Sequence, residues 1–267
     1  MQHEQAPPTA PTWNYRNGKL RMRVQSMLGK RLGVEPKSPA SAMGWKVHYI
    51  RHRTLLYLLE EVYHQHQYYF VAGGHTPRIL DCGANIGVSI LYFKSLYPEA
   101  RIVGFEPFEP AYQALLANIH DNGLQDVEVH QVALSPERGT VDLFYNPDHL
   151  GSLSMSTRQE RIRGATQAVK AAPLSDYIDE PVDLLKIDIE GAEVPVLREL
   201  AASGKLAMIR QMIVEYHHHV RTDEDSFAEF LHLLESNGFG YRLSGQYNPR
   251  SQKERFQDLL IHAYRKQ

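Results

Sequence analysis

The run RILDCGANIGVSILYF, residues 78 to 93, constrains this chain more than any other stretch. A short apolar strand with Ile79, Leu80 and Cys82 ends at Asp81-Cys82, a turn holds Gly83 and Gly87, and an apolar helical pattern follows. A strand, a glycine turn and a helix in that order open a βαβ unit, in which the turn and the helix start present backbone N–H groups to a ligand. Gly83 and Gly87 admit backbone angles closed to other residues and let a ligand approach the main chain closely. The spacing is Asp-x-Gly-x-x-x-Gly, without the closely set glycines that make room for a dinucleotide's pyrophosphate.

The texture around this unit fits a parallel sheet covered on both faces, with short apolar strands alternating with amphipathic helices. We read strands at 78–82, 101–105, 127–132, 184–187 and 209–214, and helices near 88–97, 110–122, 194–202 and 226–237, a series of five βα steps. At the end, 240–244 and 256–264 read as two strands with no helix between them, so they should pair antiparallel. The expected fold is α/β and Rossmann-like: a mainly parallel seven-stranded sheet, a C-terminal antiparallel hairpin and an N-terminal helical extension. A chain of 267 residues has room for that domain and one appendage. We place the sheet domain at 76–267 and a flexible tail plus helical cap at 1–75. Within the latter, 1–12 is polar and Pro-rich, 18–31 reads as a short basic amphipathic helix, 33–44 is turn-rich, and 48–70 reads as a helix carrying Leu55, Leu58, Leu59 and Val62 on one face. Between the third and fourth core strands, SPERGTVDLFYN suggests a turn and an extra strand, and GSLSMSTRQERIRGATQ a polar loop of the kind that covers active sites.

Charge then narrows the ligand. A carboxylate at Asp81 suits the cationic amino and sulfonium groups of S-adenosylmethionine better than an anionic phosphate bridge. The second strand ends in Glu106, from which an acid can hydrogen-bond both ribose hydroxyls. Asp81, Gly83, Asn85, Gly87, Glu106 and Phe108 are therefore the candidate cofactor residues; Phe108 either stacks near the adenine or packs the following helix. In VDLLKIDIEGAEVPVLREL, Asp188 follows an apolar strand and would be a costly charge without a purpose, whereas Glu190 and Glu193 could simply favour the positive end of a helix. The strand IRQMIVEYHHHV brings Glu215, His217, His218 and His219 to the same rim. Three consecutive histidines cannot face one way on a strand, so they form no ready-made metal triad. A histidine there can take a proton from a hydroxyl, because it titrates near neutrality. Asp188, His217 and Glu215 are the catalytic candidates, with Asp188 or His217 as the base; Glu190 and His218 are the substrate candidates. No metal is expected, although Asp188, Glu190 and Glu215 could take Mg²⁺ if they converged.

The 29 basic and 31 acidic residues nearly balance, which argues against a nucleic-acid partner for the whole chain. The single cysteine, Cys82, excludes an internal disulfide. No secretory signal or apolar run of the roughly 20 residues needed to span a membrane is found. The expected setting is cytoplasmic, and the expected partner a small-molecule hydroxyl acceptor, with no nucleic acid or membrane and with room for a homodimer. An RNA-modifying role, resting on 19–31 and the many tyrosines, and a binding module without catalysis are the competing readings; a nicotinamide-dependent dehydrogenase ranks below them for want of the closer glycines.

With DCGANIG, FEP and KIDIEGAE followed by VEYH, the chain resembles the FkbM-type family of S-adenosylmethionine-dependent methyltransferases over about 79–216. The glycine turn alone would mark only a superfamily; KIDIEGAE and VEYH make the resemblance specific. It implies O-methyl transfer to hydroxyls of secondary metabolites or sugars and places Asp81, Gly83 and Glu106 at the cofactor. It leaves open whether Asp188, Glu190 and Glu215 touch substrate, cofactor or a helix end.

Overall fold

The computed structural model describes residues 37–146, 164–218, 226–245 and 257–266. Seven strands form one sheet: β3 (Arg78–Cys82), β4 (Arg101–Phe105), β5 (Val127–His130), β9 (Val182–Ile187), β10 (Ile209–His218), β11 (Phe239–Gly245) and β12 (Gln257–Arg265), in the order β11-β12-β10-β9-β3-β4-β5. β10, β9, β3, β4 and β5 run parallel, while β12 is antiparallel to both β10 and β11. This is the expected α/β architecture with its C-terminal antiparallel pair. All five residues of β3 are buried, since it lies mid-sheet between two helical layers. Ile79 joins a cluster with Ile90, Phe93, Leu115 and Ile213; Leu80, next along the strand, joins Leu185, Val196, Leu197 and Phe230 on the other face. The helices behind these clusters are α2 (Val88–Leu96) and α3 (Glu109–Asp121) on the first face, and α4 (Glu193–Ala202) and α5 (Phe227–Ser236) on the second.

The chain leaves β3 toward β4 and β5, then returns to β9 on the opposite side of β3. That reversal opens a crevice past the C-terminal ends of β3 and β9, where ligands bind in open sheets of this kind.

Two departures from the expected layout concern the sheet's surroundings. After β5, where an insertion without a helix was expected, the chain enters a separate three-stranded sheet of β6 (Ala133–Leu134), β7 (Gly139–Tyr145) and β8 (Ala165–Ala172) rather than adding a single extra strand. β7 is the expected extra strand, but β8 begins inside the stretch read as polar loop, because its inward face carries Gln167 and its outward face Ala168, which blurs the alternation that marks a strand. The rest of that loop lies outside the described residues, as do the 1–12 tail and the basic 18–31 segment.

The N-terminal extension is also less helical than expected. Ala40–Ala42 (β1) and Trp45–Val47 (β2) form a hairpin whose turn residues, Met43 and Gly44, have φ of 51° and 83°, the left-handed pair that suits a tight hairpin. The helix α1 covers only His52–Leu59, with a π-turn at Glu60–His64. It ends before His66, whose φ of 53° turns the chain. Leu55, Leu59, Tyr68 and Phe70 share the cluster that contains α2. Trp45 Nε1 donates to Ser95 Oγ (3.1 Å), and Asn118 closes on His48 from both sides, accepting from its N–H and donating to its carbonyl.

Candidate active site

The glycine turn is shaped by backbone contacts. Gly83 and Ala84 donate their N–H groups to the carbonyl of Phe105, and Asp188 N–H donates to the carbonyl of Cys82 at 3.0 Å, tying the ends of β3, β4 and β9 together. Gly83 has φ +81°, and a Cβ there would stand 1.8 Å from the carbonyl oxygen of Asp188, so only glycine fits. Asn85 takes φ +50°, tolerable for an asparagine, and its Oδ1 accepts from Ile86 N–H. Gly87, φ +85°, precedes α2, and a Cβ there would meet Leu115 at 2.5 Å.

Glu106 completes this half. Its two carboxylate oxygens accept one backbone N–H each, from Asn85 and Phe108, both at 2.9 Å. Each oxygen keeps a second lone pair, the requirement for gripping a vicinal diol. Burial raises its pKa to about 7, against the lowering effect of those two N–H groups and of Lys186. Phe108 is buried with its ring 5.3 Å from that of Tyr145.

Asp81 is fully buried, and its partners are internal: Ser89 Oγ donates to Oδ2 at 2.5 Å, and the ammonium of Lys186 lies 3.1 Å from Oδ1. Lys186 is itself buried, donates to the carbonyl of Gly83 at 2.7 Å, and stands 3.7 Å from Asp188 Oδ2. Burial favours its neutral form, but Asp81 and Asp188 outweigh that and raise its pKa above the usual lysine value.

On the far side of the crevice, the loop after β9 delivers Asp188 and Glu190, the latter with φ +58°, and β10 delivers His217. The Nε2 of His217 lies 3.2 Å from Glu190 Oε2 and 3.9 Å from Asp188 Oδ1, and its Nδ1 is 2.7 Å from Glu193 Oε1, which also accepts Gly191 N–H. Burial depresses the imidazole's basicity, but Glu193, Glu190 and Asp188 reverse this and raise its pKa to about 10. Glu193 moves the opposite way: burial pushes it up, and His217 with the Gly191 N–H holds it below the usual range. Asp188 keeps a quarter of its side chain exposed. Glu215, two residues before His217, shares its strand face, and its charge acts on both Lys186 and Tyr68. His218 ends β10 and its side chain lies outside the described set. Single ligand atoms of Asp188, Glu190 and His217 fall within 4.8 Å of one another, close enough to share a divalent cation; Glu215, the third acid named with Asp188 and Glu190 for Mg²⁺, is not in that group.

Sequence reasoning thus brought Asp81, Gly83, Asn85, Gly87 and Glu106 to one rim and Asp188, Glu190 and His217 to the facing one. It gave no role to Lys186, Ser89 or Tyr68, and to Glu193 only that of a charge at a helix end. A lysine inside the apolar strand VDLLKI was a readable signal, because such a charge needs a buried partner. Tyr68 had none: it comes from the N-terminal extension, its hydroxyl donates to Asp188 Oδ2 (3.5 Å), and its ring covers the Lys186 ammonium at 5.3 Å.

The family profile described as the methyltransferase FkbM domain matches residues 81–243, more than half of the chain. Methyltransferase sdnD of Sordaria araneosa is 31% identical over 191 residues, covering 60% of this chain and 73% of that protein. The 31-O-demethyl-FK506 methyltransferase FkbM of Streptomyces tacrolimicus is 28% identical, covering 60% of this chain and 72% of its own. Among solved structures, methyltransferase FkbM from Methylobacillus flagellatus superposes with a TM-score of 0.50 at 17% identity, over 80% of this chain and about half (54%) of that one, a likeness of fold. Among the described residues no helix is long and apolar enough to cross a membrane. The matched segment runs from the aspartate of the glycine turn through both acidic rims to β11, and the chain belongs to the FkbM methyltransferase family.

Proposed function

We propose that this chain methylates a hydroxyl oxygen of a small molecule, of the secondary-metabolite or sugar kind, with S-adenosylmethionine as methyl donor. The observation that carries the reading is the meeting of two unlike rims: a glycine turn with a diol-gripping Glu106 and, tied to the end of β3 by its own backbone N–H, Asp188, whose carboxylate is left partly open beside a buried histidine. The name of the Streptomyces tacrolimicus relative refers to methylation at an oxygen, which supports the choice of acceptor atom.

When bound, S-adenosylmethionine supplies an electrophilic methyl group on a sulfonium. Glu106 would hold its nucleoside end, and Asn85, Gly83 and Gly87 shape the turn that receives it. A hydroxyl is a poor nucleophile until a base shares its proton. With a pKa near 10, His217 carries a proton at neutral pH and is poorly suited to take another. That leaves Asp188 as the base, with the His217 imidazolium, clamped by Glu193, orienting Glu190 and the acceptor. Glu215 adds negative charge on the same strand face. The three-stranded sheet and Tyr68 wall the crevice and limit water, and the rest of catalysis is alignment.

The test is calorimetric titration with S-adenosylhomocysteine and, separately, NAD, followed by labelled methyl transfer to a panel of hydroxylated metabolites and sugars. Micromolar binding of S-adenosylhomocysteine, weakened by Glu106→Ala, is the expected result. Asp188→Asn should lower turnover by about 10²- to 10⁴-fold. Binding of NAD alone, or of neither ligand, overturns the reading; binding without transfer to any acceptor favours a noncatalytic module.

A further inference from the structure

A carboxylate at the end of β3 looks, from its position alone, like the natural counter-ion for a cationic cofactor. Asp81 is not placed to serve that way. It lies directly beside Lys186 in the register of β3 and β9, so the two side chains leave the same face of the sheet as lateral neighbours. Both are buried and 3.1 Å apart. The other oxygen of Asp81 is taken by Ser89. Lys186 has three N–H donors; besides Asp81 it faces the carbonyls of Gly83 (2.7 Å) and Cys82 (3.3 Å), and the ring of Tyr68 lies over it. A buried pair of this kind costs desolvation and is weakly justified by stability alone.

We infer that Lys186 is a charge mask: it cancels Asp81 toward the crevice, so that discrimination between a cationic and a neutral cofactor form falls to the acidic rim around Asp188. This rests on the methyl-donor reading above and names a positioning residue within it. Lys186 is buried and acts by holding Asp81 and the Gly83 carbonyl.

The test measures how strongly the protein prefers a cationic ligand over a neutral one. Sinefungin carries a protonated amine where S-adenosylmethionine carries its sulfonium, and S-adenosylhomocysteine is neutral there; both are titrated calorimetrically into wild type, Lys186→Met, Lys186→Gln and the double variant Asp81→Asn/Lys186→Met. Lys186→Gln keeps an N–H for Gly83, and the double variant removes both charges of the pair together, so a fold that cannot bear Asp81 alone still yields a measurement. With Lys186 neutralised, affinity for sinefungin should rise about tenfold relative to S-adenosylhomocysteine, a buried charge left without its partner being worth at least that much. In the double variant most of that rise should vanish, the remainder coming from Asp188, whose Oδ2 lies 3.7 Å from the same ammonium; a ratio as high as in Lys186→Met would show that Asp81 is not the charge Lys186 masks. An unmoved ratio in the single variants, with both ligands weakened alike, would show Lys186 to be only a structural prop. A double variant whose preference for the cation falls about tenfold below wild type would show that Asp81 is felt unmasked. Failure of wild type to bind either ligand would instead sink the methyl-donor reading itself.

Discussion

The two rims of the crevice are built from different materials. The glycine-turn rim is set by main chain: Gly83 and Ala84 donate to Phe105, Asp188 to Cys82, and Asn85 and Phe108 to Glu106. The facing rim is set by ionised side chains, His217 among Glu193, Glu190 and Asp188. A backbone-built rim tolerates little change of shape but is indifferent to pH, apart from Glu106. A rim of charges keeps its shape only while its protons stay in place. Position is secured on one side and reactivity is adjustable on the other.

The comparison breaks most severely at Gly83. Gly83→Ala would drive a Cβ into the Asp188 carbonyl and force a left-handed angle on alanine. We expect a loss of about 3–5 kcal/mol in urea denaturation, with ligand binding abolished; a loss under about 1 kcal/mol would mean the turn yields.

The charged rim should answer to pH instead. The folded pKa of His217, about 10, lies above its ordinary 6.5. The stabilisation it brings is therefore complete below about 6.5 and drains away as pH climbs through about 10. The melting temperature of wild type should fall between pH 7 and 10, and His217→Gln, destabilised by about 3–5 kcal/mol at pH 7 because Glu193 and Glu190 lose their cation, should show a much flatter profile. Equal slopes in both proteins would remove His217 from the account.

Glu106 offers a smaller effect on the other rim. Raised to about 7, it is half protonated at neutrality. Affinity for S-adenosylhomocysteine should improve by about tenfold from pH 6 to pH 8 in wild type and stay level in Glu106→Gln, which also binds more weakly throughout. Between about 4.5 and 7 the same group lowers stability as pH rises, since the unfolded chain releases that proton first. The smallest effect concerns metal: treatment with EDTA should leave S-adenosylhomocysteine affinity unchanged within about twofold, and a requirement for Mg²⁺ or Mn²⁺ would instead put an ion among Asp188, Glu190 and His217.

The same contrast explains what could be read from the amino-acid order. The strand, turn and helix at 78–96 were legible because the turn's demands fall on neighbouring residues, and glycine spacing records them. β5 and the extra strand β7 were legible too, but β6 and β8 were not: the run continuing past His130 into a second sheet depends on pairing with β8, more than thirty residues on. The glycine turn and Glu106 could be placed together from sequence, but the partner that takes up Asp81 sits on β9 and could not. On the charged rim, Asp188, Glu190 and His217 were recognisable as candidates, but the proton affinity of His217 arises from three acids that converge only when β9, β10 and α4 are assembled. The N-terminal helix was overextended because the apolar face of 55–62 continues into aromatic residues that turn inward at His66 and no longer follow the helical period.

The hydrogen bonds from Lys186 to Cys82 and Gly83 join residues 104 and 103 positions apart. A growing chain that has made β3, β4 and β5 therefore owns the glycine turn but leaves Asp81 buried opposite nothing until β9 is synthesised and docks. Contacts of such long range close late and slowly. The crevice thus comes into being with the completion of the sheet, and a ligand captured there, by binding only the finished form, ratifies the last step of folding.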